Sequence, residues 1–208
     1  GVSRYVYKTK KIENLNFEEY SRFKKITAIT QDSIGKFWIS TEGAGIIIYE
    51  PEINKMSTLT KKDGIRTNNF YNICQDNKGN MWLASDSGIV IYDSNVSQGA
   101  QNSFTFIDKS KGLPSNYITC LRLINKSEMW VGSADLGIIV LDVPDNLSLR
   151  TPSVPLSEAI LLNTKKGLSS DFIQAIYEDS NHNVWVGTTG GGAIKCIPYV
   201  SPDRREAI

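Results

Sequence analysis

The chain has 208 residues, 40% hydrophobic and 22% charged, which is the composition of one or two globular domains rather than of a disordered protein. Its 23 basic and 22 acidic residues leave a formal charge of +1, so no overall field draws it to nucleic acid or to an anionic membrane. The longest apolar runs, such as Ile138 to Leu141, fall far short of the ~20 residues that span a bilayer, and no charged-then-apolar leader segment is visible after Gly1.

The four Trp supply a frame for the rest. Trp38, Trp82, Trp130 and Trp185 lie 44, 48 and 55 residues apart, and the same residue types recur at fixed distances from each. Nine positions before them stand Ile29, Ile73, Leu121 and Ile176. Twelve before stand Ile26, Phe70, Ile118 and Ile173. Six before stand Asp32, Asp76, Ile124 and Asp179, where the third copy departs. Six or seven after stand Gly45, Gly88, Gly137 and Gly192. A period of this length indicates a solenoid, a propeller or an array.

In chain order, the first predicted element is incomplete. Gly1 to Tyr5 matches Gly45 to Tyr49, and Lys11-Ile12 matches Lys55-Met56, so residues 1–13 read as the last two strands of a preceding unit. Three full units follow at 26–60, 70–107 and 118–163, and a partial one at 173–199. Each full unit holds a β-branched run, a turn, a run around Trp, a Gly turn, a third apolar run and a weaker fourth run. The first turns, such as Asp32-Ser33-Ile34-Gly35 and Asp76-Asn77-Lys78-Gly79, are hairpin chemistry. Four short antiparallel strands per unit predict an all-β fold, a β-propeller built of four-stranded blades and forming a single region over 1–208. Helix-period stripes are absent, one turn near Asn14 to Tyr20 excepted. The chain is expected to be an arc of a larger propeller rather than a small closed ring. The open edges of such an arc predict self-association, for instance as a homodimer.

The residues around this frame select among propeller types. Asp does not follow the Trp, as it does in WD blades; paired Gly are confined to Gly190-Gly191-Gly192, unlike kelch blades; and the Asp register differs from a sialidase Asp-box. The chain instead carries Gly112-Leu113-Pro114-Ser115-Asn116 ahead of Trp130-Val131-Gly132-Ser133. It carries Gly167-Leu168-Ser169-Ser170-Asp171 ahead of Glu178-Asp179 and Trp185-Val186-Gly187-Thr188, and Gly64-Ile65-Arg66-Thr67-Asn68 ahead of Gln75-Asp76 and Trp82-Leu83-Ala84-Ser85. The first full blade lacks this lead. This combination resembles the two-component regulator propeller repeat. The resemblance implies the extracytoplasmic, periplasmic sensor part of a bacterial hybrid histidine kinase that detects glycan fragments. It implies as partners an oligosaccharide and the rest of a parent kinase chain, with no nucleic acid and no membrane contact by this segment.

Strand alternation gathers one set of loops on one face. Polar groups and aromatic rings meet there, as a polyhydroxylated ligand requires. Arg66, Asn69, Tyr71, Asn116, Tyr117 and Asp171 are the candidate ligand-binding residues. Phe70 shares its offset with three Ile and reads as core, whereas Phe172 shares its offset with Lys25, Asn69 and Tyr117, a mixed set that decides nothing.

Catalytic and cofactor chemistry is scarce. The single His182 falls in a turn on the opposite face, at a position occupied by Gly35 and Gly79 in sister blades. Cys74, Cys120 and Cys196 lie too far apart for a close-spaced zinc site, their odd number excludes full internal pairing, and each sits beside apolar residues as a small hydrophobe. The Gly-rich segments precede strands rather than helices, which fails the requirement for a phosphate loop. Residues 179–190 lack the Gly and Glu of a calcium loop. No cofactor and no catalysis are therefore expected. The alternatives are a propeller glycan lyase or hydrolase, drawing on Glu42, Asp86, Asp135 and Asp171, and a non-catalytic protein-interaction platform.

Overall fold

The computed structural model describes residues 2–15, 25–93, 103–143 and 159–196. The first strands, β1 (Val2–Val6) and β2 (Lys11–Leu15), form an antiparallel pair of their own. Three four-stranded antiparallel sheets follow: β3 (Ile26–Gln31), β4 (Phe37–Thr41), β5 (Ile46–Glu50) and β6 (Lys55–Leu59); β7 (Phe70–Gln75), β8 (Met81–Ser85), β9 (Gly88–Tyr92) and β10 (Phe104–Ile107); β11 (Ile118–Ile124), β12 (Glu128–Ser133), β13 (Ile138–Asp142) and β14 (Ile160–Leu162). The last sheet has three strands, β15 (Ile173–Glu178), β16 (Val184–Thr188) and β17 (Gly192–Cys196). Each sheet is a simple up-and-down meander, and the first strands of successive sheets touch in the order β3, β7, β11, β15. These are propeller blades. Among the described residues β17 pairs with β16 alone. The expected turn near Asn14 to Tyr20 is strand as far as Leu15, and the remainder lies outside the described residues, as do 197–199 of the last unit.

The core lies between blades rather than within them. One apolar cluster joins Trp38, Ile46 and Ile48 of the first full blade to Phe70, Ile73, Leu83 and Tyr92 of the second. A second joins Trp82, Ile89 and Ile91 to Ile118, Leu121, Val131 and Leu141. A third joins Trp130, Ile138 and Val140 to Ile173, Val184 and Val186. The second and third full blades thus bury one face on the predecessor and one on the successor, which explains their nearly continuous apolar strands. The Trp follow this rule: Trp38, Trp82 and Trp130 are 3%, 0% and 4% exposed, whereas Trp185, with no described blade beyond it, is 41% exposed.

A carboxylate fixes each indole. Trp38 Nε1 donates to Asp32 Oδ2 (2.8 Å), Trp82 Nε1 to Asp76 Oδ2 (3.0 Å) and Trp185 Nε1 to Asp179 Oδ2 (2.9 Å). The other oxygen of the same Asp accepts backbone N–H groups of the hairpin, from Lys36, Asn80 and Asn183. One side chain therefore closes the turn and satisfies the indole donor, which is buried in Trp38 and Trp82 and exposed in Trp185. The third blade has Ile124 there. Its hairpin turns instead on Asn125 and Lys126, both at positive φ, and Glu128 accepts from Trp130 Nε1 (3.2 Å).

The Gly-Leu-Pro-Ser-Asn segments are joints. One-turn 3-10 helices at Lys61–Asp63, Lys109–Lys111 and Thr164–Lys166 each end on a left-handed Gly. Seven residues on from the first backbone N–H of each turn, Asn68, Asn116 and Asp171 accept from it (2.9, 2.8 and 2.7 Å). The backbone carbonyls of the same three residues accept from Gly45, Gly88 and Gly137 of the preceding blade. The Leu position is buried in the interblade clusters as Ile65, Leu113 and Leu168.

Candidate functional site

The first and second strands of every blade share an irregularity. Their register slips between Ile26 and Ala28, Phe70 and Asn72, Ile118 and Cys120, and Ile173 and Ala175. Thr27, Tyr71, Thr119 and Gln174 are the extra residues. A bulge of this kind re-aims a side chain out of the alternation of its strand. Three of these four residues line one open cavity of about 390 Å³, together with Glu42, Tyr117, Ala134 and Phe172. The cavity lies at the β4–β5 end of the blades, where the loops gathered by strand alternation meet: the backbone of Glu42 bridges Asn69, Ala134 N donates to Tyr117 O, and Thr189 N donates to Phe172 O.

Aromatic rings and polar groups converge there. Tyr117 and Phe172 are exposed, and Tyr71 is half-buried. Glu42 is held by Lys25 Nζ (2.6 Å). Asn69 Nδ2 donates to Asp86 Oδ2 (2.7 Å). Burial pushes the Asp86 carboxyl up, but hydrogen bonds from Asn69, Thr67 and Ser87 outweigh that and hold it below the usual carboxylate range. Burial, followed by the charges of Asp86 and Glu42, pushes the Tyr71 phenol above its ordinary value. Tyr71 therefore stays a neutral donor at physiological pH, beside fixed carboxylates and two further rings.

Of the six candidate residues, Tyr71 and Tyr117 line this cavity, and Asn69 sits next to it through Glu42 and Asp86. The other three are engaged elsewhere. Asn116 and Asp171 close the 3-10 turns described above. Arg66 forms an ion pair with Asp108, and its guanidinium lies 4.4 Å over the Phe106 ring. Thr119 and Gln174 were not singled out in the sequence; the signal was their shared offset of eleven residues before Trp. Phe172, undecided in the sequence, lines the cavity.

The remaining polar chemistry is remote or inert. His182 stands in the β15–β16 turn at positive φ, with Nδ1 2.8 Å from Glu178 Oε1. The three cysteines are unpaired. Burial pushes the Cys120 thiol up to about 11 and raises Cys74 and Cys196 as well, as expected of small hydrophobes. No group of three or more metal-ligating side chains occurs among the described residues.

Comparison with known proteins agrees with this architecture. The family model of the two component regulator propeller matches residues 64–87 and 167–190, so the chain carries two-component regulator propeller repeats. Histidine kinase P4 of Formosa agariphila is 27% identical over 134 residues, covering 63% of this chain and 9% of that protein. The chain thus spans about a tenth of the length of the curated relative it matches. Among solved structures, the extracellular domain of a protein described as a hybrid two component system from B. thetaiotaomicron superposes with a TM-score of 0.71 at 21% identity, over 91% of this chain and 24% of that one. Virginiamycin B lyase from Staphylococcus aureus superposes with a TM-score of 0.59 at 15% identity, over 95% of this chain and 62% of the lyase. At these identities the structures establish the propeller fold.

Proposed function

We propose that this chain is the ligand-binding propeller segment of an extracytoplasmic sensor, and that it binds an oligosaccharide in the cavity formed by Tyr71, Tyr117, Phe172, Glu42 and Gln174. It would relay that binding to a histidine kinase elsewhere in a longer chain. The observation that carries this reading is the convergence of three rings with a carboxylate and an amide in one open cavity. Rings offer faces to the C–H surface of a sugar while the polar groups bond its hydroxyls. The repeat family and the histidine kinase relative supply the signalling context. Similarity to a lyase gives little support for catalysis here, because His182 is on the opposite face and engaged with Glu178.

Thermal-shift titration against a panel of glycan fragments, with chromatography of the ligand afterwards, tests this. A fragment that raises Tm and is recovered intact, with the shift lost in Tyr71→Ala and Tyr117→Ala, supports sensing. A fragment that is cleaved would make the cavity an active site. No shift with any glycan, alongside a tight protein partner, would make the chain an interaction platform.

A further inference from the structure

A second cavity of about 390 Å³ lies farther along the first strands of the blades, toward the opposite face. It is lined by Thr30 of the first full blade, Asn72, Cys74 and Gln75 of the second, Arg122 of the third and Ile176 of the fourth, among others. The offset of Arg122, eight residues before Trp, is occupied by Thr30, Cys74 and Tyr177 in the sister blades, so Arg122 is the one charge in that ring. Its guanidinium is exposed and lies 5.6 Å over the Tyr177 ring of the next blade, and it has no ion pair among the described residues.

No carboxylate lines this cavity. The acids next to its lining have other partners: Asp76, beside Gln75, accepts from the Trp82 indole and the Asn80 amide, Glu178 is engaged by His182, and Glu128 accepts from the Trp130 indole. The polar lining is fixed. Gln75 accepts from Ser33 N and donates to Gly79 O. Asn72 Oδ1 accepts from Leu121 N (3.1 Å), which turns the amide and leaves its Nδ2 as a donor. Burial pushes the Cys74 thiol up; a backbone hydrogen bond at Leu123 and then the charge of Arg122 pull it down, while Asp76 pushes it up, so the charge of Arg122 is felt at this lining residue alongside that of Asp76.

From this geometry we infer that the cavity around Arg122 is a second binding site, for the anionic group of a ligand: a carboxylate or a sulfate. A guanidinium matches either with paired N–H donors, and a half-enclosed groove weakens such a contact less than open water does. The Tyr177 ring offers the guanidinium a cation–π contact at 5.6 Å. This site is separate from the tyrosine-lined cavity and does not depend on the reading given to it.

The probes are sodium glucuronate and sodium sulfate, with glucose as the uncharged control, each added to the 208-residue chain and followed by ¹H–¹⁵N spectra. The expected result is saturable movement of the Arg122 Nε–H signal with an anionic probe and not with glucose, weakening as salt rises. Whether glucuronate or sulfate binds more tightly identifies the source of the anion. Arg122→Gln is expected to weaken binding about tenfold or more, and Arg122→Lys by less, because a charge-assisted bond is lost in the first and the charge is kept in the second. Arg122→Gln should leave any glycan-induced Tm shift at Tyr71 and Tyr117 unchanged, so the two sites fail separately. Equal binding by Arg122→Gln and wild type, an equal response to glucose, or no response to either anion would each overturn the inference.

Discussion

Tyr71 stands where its sister residues clasp one blade to the next. Thr27 Oγ1 donates to Phe70 O and Thr119 Oγ1 to Ile173 O, both at 2.6 Å, so two of the three seams from the first full blade onward are closed by a bulge threonine. The seam between the second and third blades has Tyr71 at that position, and its ring enters the cavity instead. Tyr71→Thr should therefore supply the missing clasp, a partly buried hydrogen bond like its sisters, worth about 0.5–1.5 kcal/mol net. Loss of a half-buried ring acts in the opposite direction by a similar amount. The expected change in stability without ligand is thus within about 1 kcal/mol of zero, a Tm shift of no more than ~4 °C for a chain of this size. Binding should suffer instead: an aromatic contact worth ~0.5–1.5 kcal/mol is lost, which weakens affinity about two- to tenfold. Urea denaturation of the free protein and glycan titration of both forms measure the two effects. A loss of about 3 kcal/mol, typical of deleting a core aromatic, would show that the Tyr71 ring is packing and would refute its assignment to a ligand.

Two further outcomes follow from the Trp–Asp staple. Trp82→Ala should cost about 3–5 kcal/mol, and more if Asp76 is left buried without its partner, whereas Trp185→Ala should cost no more than about 2 because 41% of Trp185 is already exposed. Equal costs in urea denaturation would contradict packing between blades as the source of stability. Hydrogen bonds from the Trp185 indole, then from the Asn183 side chain and backbone, hold the Asp179 carboxyl well below the usual carboxylate range. A depressed folded-state pKa stabilises above the unfolded value and loses its effect as pH falls toward the folded one. The Tm advantage of wild type over Asp179→Asn should thus be full at neutral pH and shrink below about pH 4. An advantage that grows on acidification would exclude the staple.

The blades were legible because a repeat states its pattern several times. A Trp at four positions, with apolar residues nine and twelve before it, fixes which strand is which, and the strands fall where these offsets put them. The weak fourth runs, read at Met56 to Thr60, Phe104 to Ile107 and Ala159 to Asn163, overlap β6, β10 and β14. Two features escaped. The acidic residue six before Trp looked like turn chemistry alone, because nothing linear says that the same carboxylate reaches an indole across the hairpin. The bulge was equally hidden. Alternation assigns each residue of a first strand to one side, and one inserted residue changes that assignment without changing any residue type.

The bulge also shows how a departure from the repeat should be weighed. Arg66 departs from Pro114 and Ser169 as conspicuously as Tyr71 departs from Thr27 and Thr119, and both were read as contacts for a ligand. The structure separates them by what lies in front of each side chain. Arg66 meets Asp108 and the Phe106 ring, partners fixed on the neighbouring strand and turn, so its change of residue type is answered within the fold. Tyr71 meets open volume beside Tyr117 and Gln174; Arg122 lies over the Tyr177 ring but, unlike Arg66, has no ion pair among the described residues, and it lines a cavity with Thr30 and Asn72. In a scaffold where identical offsets carry identical structural duties, a new charge or ring points outward to a ligand only where the fold supplies no counter-charge or packing that fully engages it.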